Sequence, residues 1–65
     1  MAAVAYDSNR ELLQIEFRDG TVYQYFNVPA DVHENLLRAP SKGTYFNRVI
    51  RGRFPYTRLP NQSLS

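Results

Sequence analysis

SKGTYFNRVIRGRFPY, residues 41–56, is the stretch on which the predicted fold depends. Pro40 stops any helix that precedes it, and the hydroxyl of Ser41 can cap a new helix. Large apolar side chains then recur at spacings of one and four residues, which gathers them on one helical face: Tyr45, Phe46, Val49 and Ile50. Gly52 suits the left-handed conformation in which helices commonly end. The pattern predicts a helix that Tyr45 and Phe46 hold against a core.

The other side of this predicted helix is cationic. Arg48 and Arg51 share that side, and Arg53 and Arg58 follow in an irregular segment. Residues 1–37 carry two arginines against six acids, a balance of −4, whereas residues 38–65 carry six basic residues and no acid, a balance of +6. Such asymmetry indicates an anionic partner. The alternative is that the acidic and basic halves neutralise each other inside one fold.

Length and composition indicate one small domain. A chain of 65 residues buries only about 60% of the surface that it exposes when unfolded. We expect this domain to comprise residues 1–58 and to be followed by a flexible tail, residues 59–65. No apolar run is long enough to cross a membrane, and the N-terminus lacks the pattern of a signal peptide. Together with the absence of cysteine, this composition predicts a cytoplasmic protein.

The first half of the chain has the alternation of β-strands. Residues 3–7, 12–17 and 22–26 are rich in apolar and aromatic side chains, and turn signals separate them. Asp19-Gly20 is among the strongest short hairpin signals. A helix from Pro29 to about Arg38 follows, before the helix that begins after Ser41. The predicted fold is α+β: a three-stranded antiparallel meander followed by two helices on one face, in the order β-β-β-α-α.

Two registers of the second hairpin are possible, and they exclude each other because a slip of one residue reverses every side chain. A two-residue turn would place Tyr23 and Tyr25 on the outer face as an aromatic platform. It would also bury Gln24, which is costly unless the amide is hydrogen-bonded. A three-residue loop with Gly20 in the left-handed region instead pairs Ile15 with Tyr23 and directs both tyrosines to the core. We favour the three-residue loop.

The chain resembles the KTSC domain family, a small module named for its occurrence at the C-terminus of some lysyl-tRNA synthetases. The resemblance runs from about Tyr6 to Tyr56, and His33 stands where the family pattern has an aromatic residue. The matching residues are Tyr6-Asp7, Leu13, Ile15, Phe17, Gly20, Tyr23, Tyr25, Val28-Pro29, Ser41, Gly43, Tyr45, Phe46, Asn47 and Ile50. The resemblance implies a link to RNA and no catalytic residue.

The residues themselves do not indicate an enzyme. His33 is the only histidine, so no imidazole pair is present, and its position at the edge of an apolar stripe predicts a packing role. Ser8, Ser41 and Thr44 are explained by turns and caps, and so small a domain offers little room for a pocket. We expect no catalytic residue, metal, cofactor or small-molecule substrate.

Nucleic-acid binding has the stronger physical case. Basic side chains can follow phosphates, and an exposed aromatic ring can stack on a base. The predicted binding residues are Lys42, Arg48, Arg51, Arg53, Arg58 and Tyr56. The alternative is a protein-interaction or self-association module, because an outer sheet face carrying Leu12, Val22 and Phe26 would be unusually apolar.

Overall fold

The structure, a computed structural model, describes residues 1–59. The four strands form one antiparallel sheet in the order β1-β2-β3-β4, and the helices lie between β3 and β4 in the chain. The elements are β1 (Ala3–Asp7), β2 (Leu12–Glu16), β3 (Val22–Tyr25), α1 (Ala30–Arg38), α2 (Lys42–Tyr45), a π-helical turn (Phe46–Ile50) and β4 (Tyr56–Leu59). The α+β class and the two helices are as predicted, but the sheet has a fourth strand.

β4 corrects the prediction of an irregular segment after Gly52. Gly52 has φ +80° and turns the chain back towards the sheet, where Phe26 donates its backbone N–H to the Pro55 carbonyl at 2.8 Å. Tyr56 then pairs with Tyr25, and Leu59 pairs with Val22. Pro55 makes this segment look irregular in the sequence, because proline has no backbone N–H to donate in a sheet. It lies just before the strand, however, and therefore removes no backbone hydrogen bond from it. Of the predicted tail, Leu59 belongs to β4 and residues 60–65 lie outside the described residues.

The favoured register of the second hairpin is confirmed. Leu13 pairs with Tyr25 and Ile15 pairs with Tyr23, and Gly20 has φ +89°. Phe17 donates its backbone N–H to the Thr21 carbonyl at 2.8 Å, which closes a loop of three residues. On the outer face, the Gln24 amide donates to the Gln14 side-chain oxygen at 3.0 Å. The register therefore satisfies the amide that the other register would have buried.

The second helix begins as predicted and ends in a wider turn. Ser41 caps it, because its hydroxyl oxygen accepts the Thr44 backbone N–H at 3.3 Å. At the other end, Arg51 donates its backbone N–H to the Phe46 carbonyl at 2.9 Å, a hydrogen bond that spans five residues. This spacing defines a π-helical turn, a feature that occurs frequently at functional sites.

The core lies between the inner face of the sheet and the two helices. The buried side chains are Leu13, Ile15, Tyr25, Val28, Leu36, Phe46 and Ile50. At one side, His33 stacks on Tyr6 with ring centroids 4.6 Å apart, and the Tyr6 hydroxyl donates to the Val28 carbonyl at 2.6 Å. His33 thus has the packing role that its position predicted. No helix within residues 1–59 is both long enough and apolar enough to cross a membrane.

Candidate nucleic-acid interface

Five aromatic side chains form a closed cycle of ring contacts between the inner face of the sheet and the π-helical turn. Neighbouring ring centroids lie 5.3–5.7 Å apart around the cycle, and most pairs meet edge to face. In order, the members of this aromatic cycle are Phe17, Tyr23, Tyr56, Tyr25 and Phe46. Edge-to-face contacts of this kind favour defined ring orientations, so each ring holds its neighbours in place.

A pocket of about 340 Å³ opens against the aromatic cycle, and we call it the aromatic pocket. Its other lining residues are Asp19, Thr21, Gly43, Asn47 and Arg51. This volume falls at the small end of the range of about 300–1,000 Å³ that is typical of ligand sites. The pocket is therefore small, in line with the expectation that so short a chain leaves little room for a pocket of ordinary volume.

Arg51 reaches the pocket because of how the second helix ends. The π-helical turn stops at Ile50, and Arg51 has the extended backbone angles φ −63° and ψ 125°. Its side chain lines the pocket together with Asn47, one turn earlier. Arg51 thus lies outside the helix. The prediction that Arg51 shares a helical face with Arg48 is wrong.

Tyr25 is only 2% exposed, yet it lines the pocket. Its hydroxyl makes no hydrogen bond within residues 1–59. That hydroxyl is not fully buried, because every fully buried side-chain oxygen in that part of the chain has a hydrogen-bond partner. Burial raises the pKa of Tyr25, the neighbouring phenols of Tyr23 and Tyr56 raise it further, and the positive charge of Arg51 opposes them. At neutral pH Tyr25 is therefore an uncharged phenol that can donate a hydrogen bond to a ligand.

Asp19 places a carboxylate on the pocket wall. Its Oδ1 accepts the Thr21 backbone N–H at 2.9 Å, within the turn that Gly20 makes possible. This hydrogen bond is the main cause that lowers the pKa of Asp19, and the positive charge of Arg58 adds to it. The carboxylate is ionised at neutral pH, so it acts only as an acceptor.

The structure brings together some of the predicted binding residues. Arg51 and Tyr56 line the pocket, and Arg58 lies directly opposite Tyr23, on the same sheet face. Lys42 precedes the pocket residue Gly43. Arg48 and Arg53 are exposed but do not line the pocket. Of the predicted residues, Arg51 and Tyr56 thus meet at the pocket, Arg58 lies on the adjoining strand, and Arg48 and Arg53 lie outside the pocket lining.

The predicted cations are not neutralised by ion pairs in the described part of the chain. The only ion pair within residues 1–59 joins Arg10 to Asp7 at 3.8 Å, on the exposed first turn. The acidic and basic halves thus do not pair with each other there. Arg58 and Asp19 nevertheless interact through their charges, which lowers the pKa of Asp19.

Several pocket residues were not predicted. The sequence assigns Asp19 only to a turn, it assigns Thr21 no role, and Asn47 is named only among the residues of the family resemblance. Tyr23 and Tyr25 were expected to offer a stacking surface only in the other register, but both line the pocket from the inner face. The signal that could have revealed them is the inward register itself, combined with an aromatic residue at position 56.

Comparison with known proteins gives the family. The family model of the KTSC domain matches residues 1–54. The chain belongs to the KTSC domain family. A crystal structure of a KTSC domain protein from Yersinia pestis superposes with a TM-score of 0.84 at 38% identity, covering 88% of this chain and 80% of that one. The KTSC fold described above is therefore shared with a solved member.

Relatives of this KTSC domain occur in two settings. A lysine–tRNA ligase of Trichormus variabilis is 50% identical over 54 residues, which cover 83% of this chain and 10% of the ligase. A protein of Stutzerimonas stutzeri, named only as uncharacterized, is 37% identical over 51 residues, which cover 78% of this chain and 72% of that protein. The chain thus spans about a tenth of the length of the ligases that it matches. Within residues 1–59, no group of three or more His, Cys, Asp and Glu side chains could hold a metal ion.

Proposed function

We propose that this KTSC domain is a non-catalytic module that binds single-stranded RNA in the cytoplasm. Bases stack at the aromatic pocket, and phosphates contact the cations around it. The observation that carries this proposal is the meeting of Arg51 and the exposed ring of Tyr56 at one pocket. A cation next to an exposed, fixed ring is the combination by which proteins bind single strands without sequence preference.

Tyr56 is well suited to stack on a base. Its side chain is 58% exposed, and its ring rests on Tyr23 and Tyr25 at centroid distances of 5.6 and 5.3 Å. Because these contacts already restrict the ring, stacking on a base costs little further side-chain entropy. Stacking of this kind contributes about 1–3 kcal/mol per base.

The basic residues supply the sequence-independent part of binding. Within residues 1–59 none of the predicted cations forms an ion pair, so no internal pair has to break before phosphate binds. Arg51 at the pocket can pair with the phosphate of the stacked nucleotide. Two or three of the residues Lys42, Arg48, Arg53 and Arg58 then contact the neighbouring phosphates, which with Arg51 makes about three to four phosphate contacts.

The reactive side chains of the domain already have structural roles, which supports a binding function. The Ser41 hydroxyl donates to the Thr44 hydroxyl at 3.0 Å and caps the second helix. His33 stacks on Tyr6, away from the residues that line the aromatic pocket. The similarity to lysine–tRNA ligases supports RNA as the partner class, although it concerns only a tenth of those enzymes.

The proposal is tested by fluorescence anisotropy of a labelled single-stranded RNA at several salt concentrations. We expect binding with a log–log salt slope of about −2 to −3, as three to four phosphate contacts require at about 0.7 each. The variant Arg48→Ala/Arg51→Ala/Arg53→Ala should lose most of this binding. Arg10→Ala is the matched control, because Arg10 is an exposed arginine paired to Asp7 and remote in sequence. Equal binding by the triple variant and the wild type would exclude the proposed surface.

A second candidate function is self-association through the outer face of the sheet. Phe26 is 38% exposed, and Leu12 and Val22 are half-buried. The hydrogen-bonded amides of Gln14 and Gln24 lie on the same face, however, and interrupt its apolar residues. A particle size that rises with protein concentration would favour this candidate over RNA binding.

A further inference from the structure

We infer that the aromatic pocket selects a guanine base. For guanine within RNA, this inference rests on the proposed function and adds to it the base that the pocket recognises. The pocket wall contains one carboxylate, that of Asp19, and the four bases differ in the donors that their edges can offer to it. A free guanine nucleotide would present the same chemistry, so the test separates the two sources.

Asp19 is fixed before any ligand arrives. Its Oδ1 accepts the Thr21 backbone N–H at 2.9 Å, and the loop of three residues from Arg18 to Gly20 is itself closed by Phe17 and Thr21. A carboxylate has about four lone-pair positions, so the backbone N–H and the nearby side chain of Thr21 together leave acceptor capacity for a ligand. The pocket wall therefore presents an ionised acceptor, oriented by a local hydrogen bond, beside aromatic rings.

Guanine is the base whose edge matches such an acceptor. Its N1–H and N2–H₂ groups are adjacent donors and can bind both oxygens of one carboxylate. Adenine, cytosine and uracil each place an acceptor atom beside their donor on the same edge, where it would face a negative charge. Asp19 is exposed, so the preference depends on the two charge-assisted hydrogen bonds that guanine can donate to the carboxylate and that the other bases cannot.

The remaining polar groups of the pocket complement the rest of a guanine nucleotide. The Asn47 amide and the neutral Tyr25 hydroxyl can donate to the O6 and N7 acceptors of the base. Arg51 can bind the attached phosphate as a charge-assisted, bidentate donor. One pocket thus contains an acceptor, donors and a cation around a ring-stacking surface.

The test compares the nucleotides GMP, IMP and AMP, and two RNAs: an oligouridylate and the same strand with one guanosine. Affinities come from chemical-shift titrations of the whole chain. IMP is GMP without the N2 amino group, so it isolates one hydrogen bond to a charged acceptor. We expect GMP to bind about tenfold more tightly than IMP and still more tightly than AMP. The single guanosine should strengthen RNA binding by a similar factor.

The variant Asp19→Asn tests whether the Asp19 carboxylate causes the preference for GMP over IMP. Asparagine preserves the turn, because it can make the same side-chain bond to the backbone two residues on. We expect this variant to lose the preference for GMP over IMP, whereas Glu16→Gln, the same charge change on an exposed strand residue, should keep it. Equal affinity for GMP and IMP in the wild type, or an unchanged preference in Asp19→Asn, would overturn the inference.

The experiments distinguish a failure of guanine selection from a failure of RNA binding. Salt-dependent binding of oligouridylate without any advantage for guanosine would overturn guanine selection and leave RNA binding intact. Selective binding of GMP without binding of either RNA would support the guanine pocket and overturn the proposed function. If neither GMP nor RNA binds, both are wrong.

Discussion

Leu36→Ala is expected to unfold much of the domain, whereas Leu37→Ala is expected to change its stability little. Both residues lie in α1, but the Leu36 side chain is 0% exposed and that of Leu37 is 48% exposed. Removing a fully buried leucine costs about 2–5 kcal/mol. Native proteins have about 0.05–0.15 kcal/mol of stability per residue, or roughly 3–10 kcal/mol for a chain of this length. The loss is thus comparable to the whole stability of so small a core.

Urea unfolding followed by circular dichroism measures this difference. We expect the midpoint for Leu37→Ala to stay near that of the wild type, because exposed substitutions usually change stability by less than about 0.5 kcal/mol. The Leu36→Ala midpoint should fall sharply, or the variant should be unfolded without denaturant. Equal effects of the two substitutions would mean that α1 does not pack on the sheet through Leu36.

Tyr56→Ala is expected to weaken RNA binding about tenfold or more. The substitution removes the exposed ring of the aromatic cycle and with it a stacking contribution of about 1–3 kcal/mol. Tyr56→Phe is the matched control, because it keeps the ring and removes only the hydroxyl. We expect this control to bind nearly as the wild type does.

Anisotropy titrations with the same labelled RNA check this prediction, alongside urea unfolding of both variants. The unfolding control is needed because Tyr56 also packs on Tyr25 in the last strand of the sheet. If a folded Tyr56→Ala binds RNA as tightly as the wild type does, the bases do not stack at the aromatic pocket. If both variants lose binding equally, the hydroxyl rather than the ring is responsible.

The hairpin register could be predicted from the sequence because the polar residue Gln24 is unfavourable on the buried face in the other register. Only the inward register of Tyr23 and Tyr25 places Gln24 outside, and the structure shows Gln24 bonded to Gln14 on that face. The second helix could also be predicted, since Ser41 and Gly52 mark its limits and its apolar spacing is regular. Local signals of capping, turn chemistry and periodicity were sufficient for these elements.

The pocket could not be predicted because it depends on contacts between distant parts of the chain. Tyr56 contacts Tyr25 because β4 pairs with β3. The sequence does not indicate that short strand, since Pro55 is typical of an irregular segment. Asp19 has the sequence signature of a turn residue, and nothing local shows that this turn borders Asn47 and Arg51. The π-helical turn, which places Arg51 outside the helix, has no sequence signal that we could use.

A nuclear magnetic resonance titration of the isotopically labelled domain with a short oligouridylate tests most directly whether RNA binds at the aromatic pocket. Side-chain amides provide matched reporters: Asn47 lines the pocket, whereas Gln14 and Gln24 bond to each other on the outer face. We expect the signals of Asn47, with the backbone signals of Gly43, Arg51 and Tyr56, to shift as RNA is added, while those of the two glutamines stay in place. Shifts confined to Gln14 and Gln24, or no shifts at low salt, would contradict the proposed interface.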